Sequence, residues 1–185
     1  MLTVQLLPLP ELRTARLLLR RITAADAPAI LRLRSDEQVM RYLDREPAAS
    51  LDDALKHISI IYANLTDNAG LTWAVTRAEA PDELLGTCGI WRLDLCHHRG
   101  EVGYALLPEA WGQGLMHEAL AEVCRYGFEE LKLHSLEANV NPLNAASIQV
   151  LERLGFVREA YFRENYYYRG QFTDSAIYSL LAPRA

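Results

Sequence analysis

At Asp67-Asn68-Ala69-Gly70 the hydrophobic pattern of this chain changes period, and no other feature narrows the available folds as much. Before it, Leu51, Leu55, Ile58 and Tyr62 recur at three- and four-residue spacing, the stripe of an amphipathic helix. Ser50-Leu51-Asp52-Asp53 opens that helix with a capping serine, and it runs to about Asn64. After the break, Leu71-Thr72-Trp73-Ala74-Val75-Thr76-Arg77 alternates with period two, as a half-buried strand does. A turn at Ala80-Pro81-Asp82-Glu83, a strand from Leu84 to Leu93 and a turn around His97-His98-Arg99-Gly100 follow. The strand Glu101 to Leu107 then completes an antiparallel meander.

The flanks of the meander are helical and mixed. Leu17 to Ile22 reads as a first strand ending at a helix cap, Thr23-Ala24-Ala25-Asp26. Short helical pieces follow at Ala27 to Arg34 and Glu37 to Leu43, the second stopped by Glu46-Pro47. Beyond Leu107 a helix carries Met116, Leu120, Val123, Cys124 and Phe128 along one stripe, reaching about Leu131. Ser135 to Asn141 is a strand, and Asn144 to Leu154 is a helix stopped by Gly155. Phe156 to Tyr168 and Thr173 to Leu181 are strands joined by a hairpin turn at Arg169-Gly170-Gln171. This order predicts an α/β fold: a mixed, mostly antiparallel sheet of about seven strands with helices on both faces. No repeat, linker or low-complexity segment interrupts it, so the 185 residues read as one domain.

Charge and cysteine content remove several classes of function. A formal net charge of −5 provides no basic field for nucleic acid or an anionic membrane. No apolar run reaches the ~18–20 residues that span a bilayer. No secretory leader is visible, because Pro8 and Pro10 break the short run before Arg13 and Arg16. A cytosolic protein is therefore expected, and the acceptor tripeptide Asn64-Leu65-Thr66 is read as unused for glycosylation. The three cysteines, Cys88, Cys96 and Cys124, have no C-x-x-C spacing, which argues against a disulfide framework and a thiolate zinc site. His97-His98 has no third ligand nearby, so no metal is expected.

One stretch does carry chemistry. Trp111-Gly112-Gln113-Gly114 separates a strand from a long helix, and the first-turn amides of a helix have no partners inside it. Glycines permit close backbone approach, so these amides and the helix dipole suit a phosphate group. A P-loop would need Gly-Lys-Ser/Thr, but Leu115-Met116 follows Gly114. A dinucleotide fingerprint would need a third glycine where His117 stands.

Two segments together resemble the GCN5-related N-acetyltransferase superfamily, and within it the ribosomal-protein N-terminal acetyltransferases of the RimJ/RimL type. The first is Glu101-Val102-Gly103-Tyr104-Ala105-Leu106 with Trp111-Gly112-Gln113-Gly114-Leu115-Met116-His117-Glu118-Ala119. The second, more specific, is Asn139-Val140-Asn141-Pro142-Leu143-Asn144-Ala145-Ala146-Ser147-Ile148 continuing to Leu151-Glu152-Arg153-Leu154-Gly155-Phe156. Leu12-Arg13-Thr14-Ala15-Arg16-Leu17-Leu18-Leu19-Arg20 is similar to the start of that branch. The resemblance implies acetyl-CoA as co-substrate, held in a cleft between two splayed central strands. It implies helices and a strand over 12–66, an acetyl-CoA-binding core over 71–160 and a C-terminal hairpin over 156–183. It also implies that Leu106, Leu107, Gly112, Gln113, Gly114, Leu115, Met116, His117, Asn144 and Ser147 bind the co-substrate. The family's usual Gln/Arg-x-x-Gly-x-Gly/Ala has Trp111 first and Met116 last here, positions that contribute mainly backbone.

Acetyl transfer needs an uncharged amine, a polarised thioester and a proton for the departing thiolate. An α-amine of pKa ~7.7–8 is on the order of 10% neutral at pH 7, whereas a lysine near ~10.4 is neutral to only about 0.04%. The resemblance implies that Ser147 protonates the thiolate; a serine in a first helical turn can equally serve the backbone. Asn144 would cap that helix and, by resemblance, reach the pantetheine arm. The branch's glutamate falls on Tyr166; by resemblance Glu101, on the strand the family splays, is the candidate base or water-positioner, with Glu164, two residues from register, behind it and a water relay with no dedicated base as the other alternative. Tyr166-Tyr167-Tyr168 alternates across a strand, suiting sheet packing, the acceptor channel or a subunit contact. The expected reaction is acetylation of a protein N-terminus. The alternatives are acetylation of a small amine such as an antibiotic, polyamine or amino acid, and a non-catalytic acyl-CoA-binding module. A monomer or homodimer is expected.

Overall fold

A computed structural model describes residues 2–183. Its strands are β1 (Leu12–Arg13), β2 (Leu17–Arg21), β3 (Gly70–Arg77), β4 (Ala80–Asp94), β5 (Arg99–Leu106), β6 (Ser135–Val140), β7 (Val157–Tyr168) and β8 (Gln171–Leu181). Its helices are α1 (Ala27–Ser35), α2 (Glu37–Met40), α3 (Leu51–Thr66), α4 (Leu115–Glu129) and α5 (Ala145–Arg153). The strands form one sheet in the order β1-β2-β3-β4-β5-β6-β8-β7. Every described pair is antiparallel except β5 with β6. None of its described helices is long and apolar enough to cross a membrane.

Pleating divides the sheet's side chains between two layers. Trp73, Cys88 and Tyr104 are cross-strand partners on one face, the face that α4 and α5 cover. Trp73 is fully buried there, its ring edge-on to Tyr126 at a centroid distance of 5.4 Å. On the opposite face Ala74 packs with Ile22, Ile30, Ala54, Ile58 and Ile61, the contribution of α1 and α3. The stripe first seen as Leu51, Leu55, Ile58 and Tyr62 is shifted: Ala54, Ile58, Ile61 and Leu65 are buried, and Leu51 and Leu55 face outward.

The sheet opens in its middle. β5 and β6 pair only through Arg99↔Ser135, Gly100↔Leu136 and Glu101↔Glu137. Past Glu101, β5 stays with β4, and past Glu137, β6 stays with β8, so the two diverge. The next residues of each strand, Val102 to Ala105 and Ala138 to Asn141, line the gap.

Three details depart from expectation. Eight strands are present where about seven were predicted, because the two residues of β1 pair with Leu18 and Leu19. Ala80-Pro81-Asp82-Glu83 is the start of β4 and not a turn; the reversal is at Ala78-Glu79. Pro81 is tolerated because β3 and β4 pair irregularly there, with a register shift between Thr76 and Arg77. β7 is also broken: Phe162↔Ser175 is followed by Tyr166↔Thr173, so two extra residues bulge out around Glu164, whose φ is 51°.

Candidate active site at the strand splay

Three of the five described helices begin with a side-chain cap; α1, which starts with a proline in its first turn, and α4 do not. Asp36 caps α2, Ser50 caps α3 and Asn144 caps α5, whereas α4 starts at Gly114 with no side-chain acceptor. Gly112 and Gly114 hold φ of 72° and 73°, and a Cβ on Gly112 would meet nothing within 4 Å. The Leu115, Met116 and His117 amides thus face outward as free donors, with the positive end of the helix dipole behind them. Leu115 and Met116 bury their side chains in the core, as do Leu106 and Leu107 at the end of β5, so these four offer a ligand backbone only.

The loop is braced from several sides. Trp111 donates its indole N–H to the Leu106 carbonyl at 2.8 Å, which explains the indole at that position. Arg16 donates to the Gln113 carbonyl at 2.9 Å, and Arg77 donates to the Gln113 side-chain oxygen. Glu118, one turn into α4, accepts from the Thr14 hydroxyl, the Arg16 amide and the Arg16 guanidinium. Burial pushes the Glu118 carboxyl up, but those bonds outweigh it and hold its pKa below the usual carboxylate range.

A pair of hydroxyls occupies the α4–α5 side of the splay. Asn144 accepts from the Ser147 amide at 3.1 Å, so the cap expected of Asn144 is present and fixes the first turn of α5. The Ser147 Oγ lies 2.8 Å from the Tyr104 hydroxyl, whose single proton has the Ser147 carbonyl at 3.3 Å as its alternative acceptor. Burial drives the Tyr104 pKa far above that of a free phenol, so its proton stays on at working pH. Sequence reasoning passed over Tyr104. Its one signal was position, since it shares a strand face with the apolar Val102 and Leu106 and so carries a hydroxyl into a buried layer.

Glu101 lies on the opposite face of β5 from Tyr104, three residues earlier in an unbroken stretch of pairing. It sits mid-strand, its side chain 13% exposed, and its Oε2 accepts from Arg92 at 2.8 Å. Arg92 takes a left-handed conformation, φ 49°, where the β4–β5 register shifts, and this re-aims its side chain toward Glu101. Among the described residues the other oxygen, Oε1, has no hydrogen bond. Tyr166 lines the same cleft, and its hydroxyl accepts from Asn139 at 3.3 Å. Glu164 does not join them: the bulge leaves it exposed, so its two-residue offset from Tyr166 no longer keeps one face. Tyr167 turns away to pack on Phe172, and Tyr168 donates to the Arg45 carbonyl at 2.8 Å.

The cleft through the splay has a volume of about 750 Å³. Tyr104, Asn144 and Ser147 line it from one face of the sheet, and Glu101, Trp91 and His57 from the other. His97 and His98 lie in the turn between β4 and β5, away from this cleft, and all three cysteines are free.

A mixed sheet that parts between parallel strands, with an uncapped glycine-led helix beside the gap, defines the N-acetyltransferase fold class. The family model described as Acetyltransferase (GNAT) domain matches residues 16–157, and the chain belongs to that family of acetyltransferases. It is 37% identical over 175 residues to the uncharacterized N-acetyltransferase YoaA of Bacillus subtilis, covering 95% of this chain and 98% of that one. It is 35% identical over 86 residues to the [Ribosomal protein uS5]-alanine N-acetyltransferase of Escherichia coli, 46% of this chain and 44% of the relative. Among solved structures it is similar to the spermidine N-acetyltransferase of Vibrio cholerae in complex with CoA and spermine. That likeness has a TM-score of 0.79 and 25% identity and covers 91% of this chain and 96% of the other. The chain is thus an N-acetyltransferase, with relatives of differing acceptor.

Proposed function

We propose that this protein transfers the acetyl group of acetyl-CoA to the α-amine of a protein N-terminus by direct attack in a ternary complex. The pyrophosphate would sit on the free amides at the start of α4, and the pantetheine arm would pass Asn144 on its way into the splay. The amine would approach from the Glu101 face and attack the thioester carbon, and the C–S bond would break on the Tyr104 face. Glu101, through its free Oε1 or a water held there, takes the proton that the amine sheds. Ser147 gives its hydroxyl proton to the departing sulfur and recovers one from solvent, while Tyr104 holds that hydroxyl in place as a neutral donor.

The observation that carries the choice of acceptor is the ion pair between Glu101 and Arg92. With Oε2 held by a guanidinium, only Oε1 is left to receive a proton, an arrangement that suits an amine partly neutral to begin with. A peptide α-amine meets that condition at pH 7, whereas a lysine-like amine of pKa ~10.4 does not. The similarity to a ribosomal-protein alanine acetyltransferase points the same way. Steady-state release of free thiol from acetyl-CoA, with N-terminal peptides beside spermidine and free amino acids, tests it. Peptides are expected to turn over fastest. Turnover on small amines alone would overturn the choice of acceptor, and acetyl-CoA binding without turnover would favour a non-catalytic module.

A further inference from the structure

The Glu101 face of the cleft carries a charge that acetyl transfer itself does not use. Arg34 of α1, Arg45 of the segment between α2 and α3, and His57 of α3 all line it. Arg34 is half-buried, and among the described residues its guanidinium has no ion-pair or hydrogen-bond partner. No described side-chain nitrogen or oxygen is both sealed from solvent and unbonded, so the Arg34 nitrogens keep some contact with solvent in a residue that lines the cavity. Burial and the nearby Arg45 both lower its pKa, and no carboxylate offsets them. His57 is similarly depressed, to about 4, by burial and then by Arg34 and Arg45, so it stays neutral. None of the cavity's carboxylates bonds to Arg34: Glu101 pairs with Arg92, while Asp174 and Asp44 keep their charge and accept from neutral donors, the Tyr161 hydroxyl and Glu164 amide and the Thr173 hydroxyl.

A half-buried guanidinium beside a second cation and without an anion is an unfavourable arrangement unless a ligand completes it. We propose that Arg34, with Arg45 at the rim, binds a carboxylate on the acceptor, so that the favoured substrate is an acidic protein N-terminus and not a polyamine. This rests on the reading of the cleft as the acceptor site of an acetyltransferase. A polyamine would bring further positive charge beside two arginines that have no ion pair among the described residues, whereas a carboxylate matches the two-pronged geometry of a guanidinium.

The test compares N-terminal tetrapeptides carrying Asp at the first, second or third position with the same peptides carrying Asn. Thiol release is followed for the wild type and for Arg34→Gln and Arg34→Lys. In the best-placed pair the acid is expected to exceed the amide by at least about tenfold in kcat/KM, the effect of one charge-assisted bond. Arg34→Gln should bring that ratio to within about twofold of unity, and Arg34→Lys should leave an intermediate preference. A wild-type ratio near one in all three pairs, or a ratio that Arg34→Gln leaves unchanged, overturns the proposal. If Arg34→Gln does not fold, the wild-type ratio still decides, and Arg45→Gln should narrow it. If no amine is acetylated, acetyl transfer itself has failed, and calorimetric titration of the same peptides onto the acetyl-CoA-loaded protein decides the anion site separately. Acid and amide binding alike there overturns it; acid binding at least about tenfold tighter, lost in Arg34→Gln, supports it.

Discussion

Removing one oxygen with Tyr104→Phe and another with Ser147→Ala separates a hydroxyl that acts from one that positions. The two oxygens lie 2.8 Å apart, and Tyr104 has no second partner besides the Ser147 carbonyl at 3.3 Å. If Ser147 delivers the proton to sulfur, its loss forfeits a general acid, worth about 10²–10⁴ in rate. The lower end applies, because a thiol of pKa ~8.5 is already a fair leaving group. A fall in kcat of about 100-fold is therefore expected, with acetyl-CoA KM changing far less. Tyr104 acts only through Ser147 in this scheme, so Tyr104→Phe should lose about one neutral hydrogen bond, near 1 kcal/mol or 5-fold in kcat. In the Ser147→Ala background the same change should then cost almost nothing, a coupling that a thiol-release assay on all four proteins measures directly. Additive losses would refute the relay and make Tyr104 an independent contributor. An unchanged kcat in Ser147→Ala would remove the acid role altogether.

Other perturbations reach the base, the splay and the acid stability of the fold. Glu101→Gln should slow thiol release about tenfold at low pH, where the amine is charged, and less at high pH; a pH-independent loss would assign Glu101 a structural role with Arg92. Gly86→Ala puts a Cβ 2.1 Å from the Ala105 carbonyl and 2.8 Å from the Leu106 Cα, backbone that cannot step aside. It should therefore cost about 2–3 kcal/mol in urea unfolding and weaken acetyl-CoA binding; an unchanged midpoint would contradict the packing. Asp26 is 3% exposed and takes two bonds from Arg20, at 2.7 and 2.9 Å. Burial raises its pKa, but Arg20 and the Thr23 amide outweigh that and lower it below 3.8. A carboxyl lowered on folding stabilises the protein above its unfolded pKa, and that contribution is lost as pH falls through the folded value. Asp26→Asn should thus cost about 3 kcal/mol at pH 7 and flatten the loss of stability below pH ~4, and an equal cost at both pH values would refute the assignment.

Much of the architecture was legible locally. Helix starts followed from Ser50 and Asn144, the meander from alternation after Gly70, and the free amides from glycines at 112 and 114 with no capping side chain between them. These are short-range effects, set by backbone preferences and by which side of a helix or strand is apolar. Where local rules failed, a neighbouring strand had overruled them. Pro81 signals a turn by itself, yet irregular pairing with β3 leaves it an extended place in β4. Glu164 would keep the face of Tyr166 on a regular strand, yet a bulge against β8 turns it to solvent.

The site was legible as a set of residues and not as a set of partners. Ser147 and Glu101 could be named from the chain, but Tyr104 meets Ser147 across 43 residues, and Arg92 meets Glu101 only because a register shift redirects it. That Glu101 and Ser147 serve opposite faces of one gap depends on where β5 and β6 stop pairing. Arg34 reads in the sequence as one more charge in the last turn of a helix. That no carboxylate among the described residues pairs with it depends on how α1 packs against α3 at the cleft. Periodicity acts over a few residues, whereas hydrogen bonds and desolvation depend on atoms the chain brings together from far apart.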